Sequence, residues 1–256
     1  MSGKDVGMTE FAGSRVLITG GASGIGAAVA NSFLEAGATV GILDREPDGA
    51  PAGAAVFTAD VTDEDVVQAG VRSFCGESGV LDVLVNNAGI SYPATVEQAP
   101  LEDWARIYDV NVLGMVRTTR AALPYLRRSA APNVVNMSSC TAHTGLRNRV
   151  LYAGTKGAIE AMTRAMAADL VSEGIRVNAV SPGTVDTPFI SHLVDQAPDP
   201  AAQRAVYNNR QPTGFMVSAD EIAHAVMFLA RPGARSTVGS VVTVDGGLAT
   251  IKLFDS

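Results

Sequence analysis

The sequence predicts an α/β fold: a single doubly wound domain, spanning residues 1–256, on a mostly parallel seven-stranded sheet with helices on both faces. Three observations carry that expectation. Short apolar runs alternate with stretches of helical composition along nearly the whole chain. Glycine-rich and polar clusters fall at the ends of those runs, where a parallel sheet gathers its ligand-binding residues. With 256 residues, 47% of them hydrophobic, the chain can bury a sizeable core, and no linker divides it.

Arg15 to Thr19 reads as the first strand and runs into Gly20-Gly-Ala-Ser23-Gly24-Ile25-Gly26; Ala27 to Gly37 reads as the first helix, with a glycine stop. A glycine turn at this place lets backbone approach a pyrophosphate, and the helix start turns unpaired N–H groups toward it. Its spacing, Gly-x-x-x-Gly-x-Gly, is wider than the standard dinucleotide fingerprint, and alone the turn also reads as a tight strand-to-helix connection. Thr39 to Leu43 is the second strand. Asp44 follows it, 18 residues after Gly26, where a carboxylate accepts from adenosine ribose hydroxyls. That favours NAD, because a carboxylate repels the extra phosphate of NADP, with Arg45 next door as the one group that softens the preference. Ala55 to Ala59 is the third strand, and Asp60-Val61 follows, Asp60 being a candidate for the adenine amino group. A helix capped by Thr62 or Asp63 then runs to about Ser78.

Val80 to Val85, the fourth strand, breaks into Asn86-Asn87-Ala88-Gly89, a turn whose amides can also bind something polar. Leu101 to Arg128 predicts one long helix bent near Gly114 and Pro124, with Asn111 inside it as a buried amide that fixes a bend. Asn133 to Met137 is the fifth strand, ending at Ser138-Ser139; after the loop Cys140 to Val150, a helix spans Leu151 to Leu170. The sixth strand, Ile175 to Val180, ends in Ser181-Pro182-Gly183-Thr184. The stretch from about 186 to 217 is irregular, with Pro198, Pro200 and Pro212, and is long enough to be a functional lid. Ala219 to Ala230 is a helix and Val238 to Val244 the last strand, closed by Asp245-Gly-Gly.

Composition excludes other classes. A net charge of −7, with no basic patch among aromatics, argues against nucleic acid. No apolar run approaches the ~20 residues of a membrane span. The opening MSGKDVGMTE lacks the apolar core of a secretory leader, so a cytoplasmic protein is expected. Cys75 and Cys140 match no metal-ligand spacing and read as structural.

If Leu151 to Leu170 is helical, Tyr152 and Lys156 stack on one face at i and i+4. A free phenol titrates near pH ~10, and a fixed ammonium nearby is expected to lower it toward the useful range of a general base. Ser139 supplies a hydrogen bond for a carbonyl or alcohol oxygen. Taken alone, such a set also reads as a half-buried tyrosine, a surface lysine and a serine ending a strand.

From about Arg15 to Gly247 the chain resembles the short-chain dehydrogenases/reductases, a Rossmann-type family. Thr19-Gly-Gly-Ala-Ser-Gly-Ile-Gly26 looks like its glycine motif, Asn86-Asn-Ala-Gly89 its structural motif, and Ser139 with Tyr152-Ala-Gly-Thr-Lys156 its catalytic motif; Asn111 and Pro182-Gly183 also fall where the family has them. The resemblance implies metal-free, NAD(P)-dependent interconversion of a secondary alcohol and a ketone. Tyr152 would be the base in oxidation and Ser139 would position the substrate oxygen. Lys156 would bind the nicotinamide ribose, and Asn111 would hold a water between Lys156 and solvent. Gly20, Ser23, Gly24, Ile25, Gly26, Asp44, Arg45, Asp60, Val61, Asn87, Ala88, Gly89, Pro182, Gly183 and Thr187 would line the cofactor, with Tyr152 and Lys156 touching it as well. Where NADP-specific relatives often carry arginine in the turn this chain has Ser23, which agrees with NAD. A homotetramer is implied too. Around Arg149 and Arg210 the sequence resembles a subgroup acting on small hydroxy or keto acids, including 2-keto-3-deoxy sugar acids, in which two arginines grip the carboxylate. The same two arginines also read as surface or subunit-interface ion pairs. The third arginine some members carry after the Pro-Gly motif is absent, and His192 is the nearest substitute; neither His143 nor His192 is assigned catalysis. Two further readings are an apolar or cyclic alcohol met by Phe189, Phe215 and Met216, and an idle NAD-binding scaffold.

Overall fold

A strand covered on both faces needs no polar side, and strand β1 (Arg15–Thr19) has four of its five residues buried. Its alternation feeds two cores. Val16 and Ile18 join one cluster with Val29 and Phe33 of helix α1 (Gly24–Glu35), whereas Leu17 faces the other. The computed structural model describes residues 10–253; the stretch read above for a secretory leader lies almost wholly outside them.

The chain continues through β2 (Thr39–Asp44), β3 (Ala55–Thr58), α2 (Glu64–Cys75), β4 (Val83–Asn86), α3 (Leu101–Tyr108), α4 (Gly114–Leu126), β5 (Asn133–Met137), α5 (Val150–Leu170) and β6 (Arg176–Pro182). It ends with β7 (Val185–Asp186), α6 (Pro188–Asp195), α7 (Pro200–Asn208), β8 (Val217–Ser218), α8 (Ala219–Ala230) and β9 (Val241–Val244). Seven strands form one sheet in the order β3-β2-β1-β4-β5-β6-β9, every neighbouring pair parallel. Residues of α1 and α8 belong to the first core cluster; residues of α2, α4 and α5 belong to the second. The strand order reverses between β1 and β4, which opens a crevice at their carboxyl ends. Register brings Thr19 beside Leu43 and Asn86, and Asn86 beside Asn136, so the predicted motifs share one edge.

Two expectations change. The predicted long helix is interrupted ahead of Gly114 by a π-helical turn, Asp109–Leu113, while Pro124 is accommodated inside α4. The reason is Asn111: its Oδ1 accepts from Ile90 N at 2.8 Å, and its Nδ2 donates to Ile90 O at 2.9 Å and Thr155 Oγ1 at 3.1 Å. The irregular stretch contains two helices, each opened by a proline and capped by the residue before it, Thr187 accepting from Ile190 N and Asp199 from Ala202 N. Proline is well suited to a first helical position, where no N–H is required. The parallel pair β7 and β8 ties the two ends of this stretch together.

A buried polar ladder fixes α4 relative to α5. Thr118 Oγ1 donates to Asn86 Oδ1 at 2.8 Å, Asn86 Nδ2 donates to Asn136 Oδ1 at 2.9 Å, and Asn136 Nδ2 donates to Thr163 Oγ1 at 2.9 Å. Each break leaves a buried polar group unmatched. Asn136→Ala is expected to lower unfolding free energy by about 2–3 kcal/mol in urea denaturation; an unchanged midpoint and slope would contradict the ladder.

Candidate active site

The nucleotide side is built by close approach. Gly20 has φ +65°, and a Cβ on it would meet Ala88 Cα at 2.9 Å; one on Gly26 would meet Gly20 O at 2.0 Å. Thr19 Oγ1 accepts from Asn87 N and Ala88 N at 3.1 and 3.0 Å, and Asn87 Nδ2 donates to Thr19 O and Gly20 O at 3.1 and 2.7 Å. The Asn87 amide nitrogen is therefore spent on holding the turn. Ser23 precedes α1 without a side-chain capping bond among the described residues, leaving Gly24, Ile25 and Gly26 to present their N–H groups at the turn. This arrangement fits a dinucleotide's pyrophosphate. Thr187, just before α6, lies beside Gly24: a Cβ there would stand 3.5 Å from Thr187 Cγ2.

Asp44 Oδ2 accepts from Ala22 N at 2.9 Å and Oδ1 from Glu46 N at 3.0 Å, which locks the carboxylate to the turn with lone pairs to spare. Arg45 is exposed and paired with Glu46 at 2.9 Å. Bonds from the Thr62 backbone and hydroxyl hold Asp60 below the usual carboxylate range. Val61 is buried against Gly114, where a Cβ would come within 2.7 Å of Val61 Cγ2. Gly183 N donates to Val244 O at 2.9 Å, which fixes Pro182-Gly183 at the far side of the same edge.

On the catalytic side, Ser139, Tyr152 and Lys156 converge as predicted, but the electrostatics differ. Burial pushes the Tyr152 phenol up to about 12, with the Ser139 hydroxyl opposing it by hydrogen bonding. The expected lowering by Lys156 is absent from the resting site because the ammonium is directed elsewhere. Its Nζ donates to Met137 O at 2.7 Å and sits over the Tyr152 ring, 5.4 Å from the centroid. Burial brings Lys156 down to about 8. A Cβ on Gly89 would lie 3.1 Å from Asn111 Oδ1 and 3.7 Å from Lys156 Nζ, so glycine keeps the space between them open. Cys75 and Cys140 are free and buried, and burial raises both thiols to about 11, consistent with structural roles.

Arg149 and Arg210 both come to this region. Arg149 Nη1 reaches Ser91 Oγ at 3.5 Å and lines a 390 Å³ cavity with Thr141, His143, Thr144 and Leu146. The Arg210 guanidinium stacks on Tyr207 at 4.5 Å and lines a 330 Å³ cavity with Gln211 and Leu253. Burial, and after it the charge of Arg149, pulls the Arg210 guanidinium down, and the same Arg149 charge favours the Tyr152 phenolate. Neither forms an ion pair among the described residues, unlike Arg45 or Arg204. His192 is occupied by Gln196 Nε2, 2.9 Å away at the end of its own helix. Sequence reasoning passed over Ser138 and Glu160, whose side chains meet at 2.9 Å beside Lys156, because nothing local marks residues 22 positions apart as partners.

Comparison with known proteins defines the class. A family model described as Enoyl-(Acyl carrier protein) reductase matches residues 20–249. L-fucose dehydrogenase of Bos taurus is 38% identical over 246 residues, covering 93% of this chain and 90% of that protein. Cis-4-hydroxycyclohexanecarboxylate dehydrogenase of Sinomonas cyclohexanicum is 36% identical over 251 residues, covering 94% and 98%. Ligand-free aldohexose dehydrogenase of Thermoplasma acidophilum superposes with a TM-score of 0.92 at 32% identity, covering 98% of this chain and 99% of that one. The chain belongs to the short-chain dehydrogenase/reductase family, whose dehydrogenases use a nicotinamide cofactor.

The turn's tight fit can be tested directly. Gly26→Ala, forcing a methyl against Gly20 O, is expected to weaken NADH binding by about tenfold or more in a fluorescence titration; unchanged affinity in the folded variant would contradict the close approach.

Proposed function

We propose that the protein is an NAD-dependent dehydrogenase that interconverts a secondary alcohol and a ketone on a small hydroxy acid, either sugar-derived or cyclic. The observation that carries the substrate class is the pair of guanidiniums without an ion-pair partner among the described residues, Arg149 and Arg210: Arg149 is close enough to act on both Tyr152 and Arg210. Two like charges left unpaired in partly buried positions are costly unless an anion joins them, and a carboxylate accepts a guanidinium fork well. Relatives named for L-fucose, aldohexose and 4-hydroxycyclohexanecarboxylate support a ring-sized secondary alcohol. A second reading, an uncharged sugar or cyclic alcohol, is favoured by Phe189 and Phe215, both exposed on the lid.

In oxidation, Tyr152 takes the hydroxyl proton of the alcohol while the Ser139 hydroxyl donates to the same oxygen and holds it in place. Lys156 would hold the nicotinamide ribose, while Arg149 is the neighbouring charge that favours the Tyr152 phenolate. Asn111, fixed by Ile90 and Thr155, would hold a water between Lys156 and solvent. A bound nicotinamide supplies the hydride acceptor. Reduction uses the same groups with Tyr152 as the acid. NAD is preferred because Asp44, fixed to the turn, accepts ribose hydroxyls and repels a phosphate, while Arg45 is held by Glu46.

The test is steady-state turnover with NAD and NADP across hydroxy acids and their uncharged counterparts, in the wild type and Arg149→Met. NAD and the acids are expected to win, and Arg149→Met is expected to lower kcat/KM on acids by about 100-fold while sparing neutral alcohols. Preference for NADP would overturn the Asp44 argument, and preference for neutral substrates the carboxylate.

A further inference from the structure

Strand β5 delivers Ser139 at its carboxyl end, and a serine at a strand end is only as well placed as the residue before it. That residue, Ser138, is 2% exposed. Its N–H donates to Val180 O at 2.8 Å. Its hydroxyl lies 2.9 Å from Glu160 Oε1 and 3.3 Å from the Lys156 carbonyl. Glu160 stands one helical turn beyond Lys156 on α5, and its side chain is only 12% exposed. The same Oε1 lies 3.5 Å from His143 Nδ1, at the start of the loop lining the 390 Å³ cavity beside Arg149. Lys156 itself turns away, to Met137 O. The carboxylate thus accepts from Ser138 and lies 3.5 Å from His143, both on the segment that carries Ser139 between them.

We propose that Glu160 is a positioning residue: through Ser138 and His143 it clamps the Ser138–His143 segment onto α5 and so fixes Ser139 relative to Tyr152. The inference rests on the reading of Ser139 and Tyr152 as the groups that meet the substrate oxygen. A nearly buried carboxylate has a directional demand for donors that an apolar residue of the same size lacks, so its bond to Ser138 fixes where that hydroxyl stands. Displacements of about 1 Å in an oriented donor cost on the order of 100-fold in rate. The nucleotide turn at Gly20 to Gly26 lies on other elements and is independent of the clamp.

The experiment compares the full-length wild type with Glu160→Ala, Glu160→Gln, Ser138→Ala and Tyr152→Phe, reading melting temperature, NADH affinity by fluorescence, and kcat with KM. Glu160→Ala is expected to lose about 10- to 100-fold in kcat with NADH affinity within about twofold of wild type. Glu160→Gln keeps an acceptor for Ser138 and is expected to recover to within about fivefold, and Ser138→Ala to lose about tenfold. Wild-type kcat in a folded Glu160→Ala protein overturns the proposal, as does a Gln variant no better than the Ala variant. If Glu160→Ala does not fold, Ser138→Ala decides, and an unchanged kcat there overturns it. Tyr152→Phe separates the two claims: turnover surviving in it refutes the underlying reading, whereas its loss beside an active Glu160→Ala refutes the clamp alone.

Discussion

The site depends on how closely the ends of β1 and β4 approach one another. Thr19 and Asn87 exchange hydrogen bonds across that junction, the Thr19 hydroxyl accepting two N–H groups and the Asn87 amide donating to two carbonyls of the turn. Gly20 and Gly26 are the conditions of that approach, since a side chain on either would strike backbone. The nucleotide turn and the catalytic half are therefore one construction. β4 leads through Gly89 to the Asn111 turn, and Asn111 reaches Thr155 on the helix that carries Tyr152 and Lys156. An error of register at β1–β4 would move every group in the cleft.

The second constraint is dryness. Burial raises the Tyr152 phenol and lowers the Lys156 ammonium, so the phenol stays protonated while Lys156 gives up its proton more readily than a free lysine. A site in that condition gains most from a positive charge brought beside it, because low local dielectric magnifies the interaction. Arg149 already acts in that sense on Tyr152. The same reasoning gives the arginines their meaning: each guanidinium near the cleft makes it less hospitable to a cation and more so to a carboxylate.

Much of this was legible in the sequence because buried parallel strands read as apolar runs, and a parallel sheet puts their polar ends on one edge. Asp44, Asp60, Ser139 and Pro182-Gly183 were found that way, and the seven strands followed from their spacing. What escaped depends on distant partners. The π turn exists because Asn111 bonds Ile90 and Thr155, residues 21 and 44 positions away, which no local periodicity encodes. The two helices of the 186–217 stretch escaped because its prolines, Pro200 among them, read as breakers, although Pro200 opens a helix. The i, i+4 rule placed Lys156 correctly on the face of Tyr152 yet missed the direction of the phenol's shift. Burial outweighs a neighbour whose ammonium is bonded to Met137 O, and burial is a property of the assembled fold.

Everything at the catalytic end turns on dryness: burial holds the Tyr152 phenol protonated, and a positive charge brought beside it favours the phenolate. Carbon-13 NMR of ring-labelled tyrosine, with Tyr152→Phe to assign the signal, measures this across alkaline pH in the free protein and with NAD⁺ bound. Ionisation near 12 is expected in the free protein, with a downward shift when NAD⁺ binds. A free-protein phenol that ionises below about 10, the ordinary tyrosine value, would contradict it.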